Sequence, residues 1–119
     1  MRNFRELKIW QLAIDLAKKI YLLTKEFPAT ERYGLSSQLQ RAAVSIPSNI
    51  AEGASRRSEK DFARFLEIAL GSAYEVETQL IIAQEVGYFS DVDITITLAD
   101  LVILQKQINK FVNVLQGKG

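Results

Sequence analysis

The residues of this 119-residue chain best able to do chemistry lie in one stretch, from Gln38 to Arg56. At helical spacing Gln38, Arg41, Ser45, Asn49, Glu52 and Arg56 share one stripe beside an apolar one. Such a row can act as a polar groove that takes a ligand. Its plainer reading is a hydrogen-bonded contact between helices, where small residues allow close approach and polar groups satisfy one another. Further along, Ser72, Glu75 and Gln79 form a similar stripe. Antiparallel packing of the two helices would bring Glu75 near Arg41, and a buried ion pair there would set the register.

A second cluster, Arg56, Arg57, Lys60 and Arg64, surrounds the start of a helix whose free amides also favour anions. A phosphate or a nucleic-acid backbone could dock there. Glu59, Asp61 and Glu67 interleave with these cations, so a solvated surface of mixed charge is the competing reading. For catalysis or metal binding only the carboxylates Glu52, Glu67, Glu75 and Glu77 offer themselves, as facing glutamates in a bundle. The chain has neither histidine nor cysteine. That removes the Ser-His-Asp and Cys-His arrangements, the usual zinc ligands and thiolate chemistry, and the Glu-x-x-His motif of di-iron bundles. The composition therefore points to a non-enzymatic protein with no cofactor.

The elements that position these residues are helices. Over Phe4 to Glu26, Ile9, Leu16, Ile20, Leu23 and Phe27 form one stripe, with Trp10, Ala13, Ala17, Tyr21 and Thr24 beside it. Phe27-Pro28 ends this segment, because a residue before proline is pushed out of the α region. A second helix is predicted from Tyr33 to Arg56, with Leu35, Leu39, Ala42, Ala43, Ile46 and Ile50 on its core face and a kink at Pro47. The third opens on Ser58 as cap, runs through Phe62, Leu66, Ala69, Ala73, Val76, Leu80 and Ala83, and stops at Gly87. The fourth runs from Ser90 or Asp91 to Gln116 on Ile94, Leu98, Leu101, Ile108, Val112 and Leu115. Ile94-Thr95-Ile96-Thr97 alternates like a strand, but a lone four-residue strand would have no partner, so helix is the better assignment. Long helices on short connections are antiparallel neighbours, which makes the expected fold an all-α, up-and-down four-helix bundle spanning residues 1–119 as one domain.

Net charge is +1, so any nucleic-acid contact must be a local patch. No window approaches a membrane span, and the apolar run after Arg2, Arg5 and Lys8 is broken by Gln11 and Asp15, unlike a signal peptide. A cytoplasmic protein is expected. Leu22, Ile96 and Ile103 fall on otherwise polar faces, which suggests an interface between copies.

Arg41 to Gly53, read RAAVSIPSNIAEG, followed by Asp61 to Ser72, read DFARFLEIALGS, closely resembles the bacterial family encoded in intervening sequences of large-subunit ribosomal RNA genes. Leu7 to Trp10, Phe27-Pro28, Glu31 to Leu35, and Glu75 to Gln79 extend the likeness over nearly the whole chain. The resemblance implies an antiparallel four-helix bundle and a homo-oligomer, pictured as a ring of five. It also implies no known catalytic residues, and it carries no established biochemical role. An accessory protein of diversity-generating retroelements is similar in fold and thought to bind nucleic acid and a reverse transcriptase. RNA association is thus the first expectation for this chain, and a protein-interaction scaffold the alternative.

Overall fold

Four amphipathic helices follow one another: α1 (Lys8–Thr24), α2 (Leu35–Ala54), α3 (Glu59–Glu85) and α4 (Asp91–Leu115). The computed structural model describes residues 2–117, with every side chain in that range except those of Asp91 and Asp93. Among the described residues there is no strand, and Ile94 to Thr97 is helical, as a partnerless strand requires. The fold is the expected all-α four-helix bundle, about 43 Å along its longest axis.

The ends of the helices follow local chemistry. The Ser58 side chain accepts from the amide of Asp61 at 3.0 Å, which caps α3. Gly87 sits at φ +81°, and the amide of Tyr88 returns to the Ala83 carbonyl at 3.0 Å, closing α3 with a left-handed stop. The first segment is not one helix from Phe4. A 3-10 turn, Phe4–Glu6, is capped by Asn3, and Leu7 is extended before α1 begins. Pro47 is buried inside α2, which continues past it to Ala54.

The core is built from Ile20, Leu39, Ile46, Ile50, Phe62, Leu66, Leu80, Ile94, Leu101, Leu104 and Ile108, all essentially inaccessible. Burying each such side chain contributes about 1.5–3 kcal/mol, whereas an exposed ion pair contributes about 1 kcal/mol or less. Stability therefore resides in this core rather than in the surface pairs. The α2–α3 seam is the most extensive of the bundle and the α1–α4 seam the least. Ala42, Ala43, Ala69 and Ala73 in α2 and α3 are buried, and so is Gly53. A Cβ at Gly53 would lie 2.8 Å from the Phe65 Cβ and 2.9 Å from the Phe62 ring, so only glycine permits this approach. Among the described residues no helix is long and apolar enough to cross a membrane.

Candidate functional site

The polar stripes of α2 and α3 meet along their seam and hydrogen-bond to each other. Ser45 Oγ and Ser72 Oγ are 2.9 Å apart, and Asn49 Nδ2 donates to the Ser45 carbonyl at 2.8 Å and to its hydroxyl at 3.0 Å. Gln79 Nε2 donates to Gln38 Oε1 and to Glu75 Oε2, both at 3.3 Å. These contacts fix the antiparallel register, with Arg41 and Glu75 lying between them in sequence. The buried Arg41–Glu75 ion pair does not form: both residues are exposed, and no ion pair among the described residues joins them. The physical reason is that desolvating two charges costs more than their attraction returns unless the geometry is excellent, so each head stays in water. Register is set by neutral amides and hydroxyls instead. Gln79 is nearly buried, and its Oε1 has no partner.

The cationic cluster lies at one end of the bundle. Arg56, Arg57, Lys60 and Arg64 are all exposed. Arg56 pairs with Glu52 at 3.1 Å and Arg64 with Asp61 at 4.0 Å, while neither Arg57 nor Lys60 has a carboxylate partner among the described residues. The Arg56 and Arg64 guanidiniums both lie over the Phe65 ring, at 4.8 and 5.2 Å from its centre.

Alternating helix direction brings the start of the chain and the end of α4 to the same place. The Arg2 amide donates to the Ala54 carbonyl at 3.0 Å, and its side chain reaches Glu59 at 3.6 Å. Gln116 Nε2 donates to Glu67 at 3.1 Å. A groove of about 410 Å³ between α3 and α4 is bounded by Lys60, Arg64 and Glu67, and one of about 430 Å³ between α1 and α4 by Lys8, Lys110 and Phe111. From sequence, Arg2, Arg5 and Lys8 counted only as the basic start weighed against a signal peptide, and neither they nor Lys110 stood among the expected site residues. The signal was available, because an up-and-down bundle places both chain termini beside the α2–α3 connection. Phe65 gave none, since a phenylalanine next to core positions reads as packing.

The carboxylates considered for metal are scattered. Glu52 pairs with Arg56, Glu67 accepts from Gln116, Glu75 from Gln79, and Glu77 from Gln105 at 2.8 Å. No group of three or more metal-ligating side chains is found among the described residues. The resolved shifts in acidity lie at the opposite end of the bundle, away from the cations. There the Tyr88 hydroxyl donates to Glu31 at 2.5 Å, and Glu31 also accepts from the Leu35 amide at 3.1 Å. The hydrogen bond from Tyr88 and then that from Leu35 hold the Glu31 carboxyl below its ordinary value, and the bond to Glu31 pushes Tyr88 up. This contact spans the two connecting loops and is structural.

Residues 5–110 match the model of the 23S rRNA-intervening sequence protein. The chain belongs to this family. A solved relative in the S23 ribosomal protein family, a protein with unknown function from Bacteroides thetaiotaomicron, is 25% identical and covers 87% of this chain and 97% of its own, with a TM-score of 0.81. No curated protein matches. The stretch RAAVSIPSNIAEG lies on α2, where its small residues and Gly53 form the close α2–α3 seam.

Proposed function

We propose that this family member is a non-enzymatic, homo-oligomeric protein of the cytoplasm that associates with RNA through its basic end. The observation that carries the reading is the exposed group Arg56, Arg57, Lys60 and Arg64, in which Arg57 and Lys60 have no carboxylate partner among the described residues. Unpaired cations attract a polyanion by releasing its counterions, and an oligomer repeats the patch so that weak sites add. Absent histidine and cysteine, together with carboxylates engaged one by one in separate hydrogen bonds, support a binding role over catalysis.

Self-association is supported by apolar surface along the α1–α4 side. Leu22 is 62% exposed, Ile96 57% and Ile103 48%. Leu22 and Ile96 line one shallow groove there, and Ile103 a second. The resemblance implies a ring of five. The same surface favours the alternative of a scaffold for another protein, whose binding would change little with salt. The test of the RNA reading replaces Arg56, Arg57 and Lys60 together with glutamate. RNA retained on filters at low salt should fall roughly tenfold or more, because each phosphate left without its cation keeps its counterions. Unchanged retention would remove the site.

A further inference from the structure

Arginine and phenylalanine alternate at the basic end in a way that the loop charges alone do not describe. Arg2 lies over Phe62 and Phe111, at 5.1 and 5.8 Å, and Arg5 over Phe4 at 4.7 Å. Arg56 and Arg64 share Phe65. Five of the six guanidinium–ring contacts among the described residues fall at this end, and the sixth, Arg32 over Tyr33, lies near the other. A guanidinium resting on a ring has lost side-chain freedom before any ligand arrives. Its weakly hydrated fork can still take a phosphate on two N–H groups. The ion pairs of Arg2, Arg56 and Arg64 are exposed and weak enough to exchange for phosphate.

The same contacts decide which form of RNA fits. Single strands are held by bases stacked on open aromatic faces. At this end the phenylalanine rings are engaged: Phe4 carries Arg5 and packs edgewise with the half-buried Trp10, Phe62 is buried against Phe111, and Phe65 is shared by two arginines. Of the exposed tyrosine rings, Tyr21 and Tyr33 lie in the other half of the bundle and Tyr74 near its middle. Paired RNA hides its bases and is recognised by its shape, its phosphates and its 2′-hydroxyls. We propose that the basic end docks on the backbone of double-helical RNA, with Arg2, Arg5, Arg56 and Arg64 preset on phenylalanine platforms and Phe65 acting as a positioning residue. This rests on the RNA reading above and names the form of RNA and the face that meets it. At the far end Lys25 and Arg32 are interleaved with Glu26, Glu31 and Glu85, so the excess of cations that attracts the backbone lies at the basic end.

The test measures fluorescence anisotropy of a labelled RNA hairpin with a fully paired stem and of an unstructured uridine strand of equal length, at about 0.1 M salt. The hairpin should bind several-fold more tightly. Arg5→Glu with Lys8→Glu should weaken hairpin binding about tenfold or more and flatten its salt dependence, whereas Lys25→Glu with Arg32→Glu, remote from this end, should change it less than about twofold. Phe65→Leu keeps every charge and should weaken binding about two- to fivefold. In that background Arg56→Lys should cost nothing further, although it weakens binding when Phe65 is present; additive losses would reduce Phe65 to packing and overturn its role. Preference for the uridine strand, or an equal loss from the remote pair, overturns the docking proposal while leaving RNA association standing. Wild-type protein that binds neither RNA overturns both.

Discussion

At Gly53 a single hydrogen atom decides how closely two helices meet. Alanine there would press its methyl carbon against Phe62, which is fully buried and cannot yield. Gly53→Ala is expected to destabilise the bundle by about 1–3 kcal/mol, read from denaturant midpoints, the usual cost of overpacking a close contact. An unchanged midpoint would show that the α2–α3 seam can open at no cost. Tyr88 and Glu31 make a second residue-scale prediction. Glu31 titrates below its ordinary 4.5 in the fold, so the stability it contributes is present above that pH and is lost as the pH falls through the lowered value. Tyr88 titrates above its ordinary 10.0, so its contribution is present below that pH and is lost as the pH rises through the raised value. Tyr88→Phe should therefore lower stability most between the two ranges, and the gap from wild type should close at both extremes. In a carbon-detected titration the Glu31 carboxyl should move up but stay below its ordinary value, because the Leu35 amide still donates to it. A carboxyl that does not move would mean that the tyrosine is not its main partner.

Helix identity and punctuation were largely legible, because each rests on neighbours within a turn or two. Ser58 caps α3, Gly87 ends it in the left-handed region, and the apolar rows at spacings of three and four are the rows that are buried. The break at Leu7 was not, since periodicity is blind to whether a first turn is α or 3-10. Tyr21, assigned to a stripe beside the core, is 45% exposed, because a neighbouring stripe is buried only where an adjacent helix covers it. The bend expected at Pro47 remains a proposal about the helix axis, and it has a stability consequence. Pro47→Ala restores an amide donor and relieves crowding, worth about 3 kcal/mol in a free helix, against roughly 1.6 kcal/mol for the buried ring methylenes that it removes. Thermal unfolding should show a net gain of about 1 kcal/mol. A loss would mean that packing around position 47, rather than the helix, dictates its shape.

Charge and apolar surface are distributed over the molecule in ways that bear on assembly. The weakest seam, between α1 and α4, is flanked by Leu22, Ile96 and Ile103 and bridged by the Lys19–Asp100 ion pair. Leu22→Ser with Ile96→Ser should lower the mass seen by light scattering to that of the protomer while far-ultraviolet dichroism stays helical. An unchanged assembled mass would place the contact elsewhere. The sequence by itself determined four helices, their antiparallel order and most of the core, because amphipathic periodicity and short connections leave few other ways to hide apolar surface. Only the tertiary structure decided that Arg41 and Glu75 stay in solvent, that neutral polar groups set the α2–α3 register, and that Arg2 and Arg5 join the loop cations on phenylalanine rings. These outcomes depend on which side chains face each other across helices and at what distance. Spacing along one chain does not encode such distances, and the balance between desolvation and attraction turns on them.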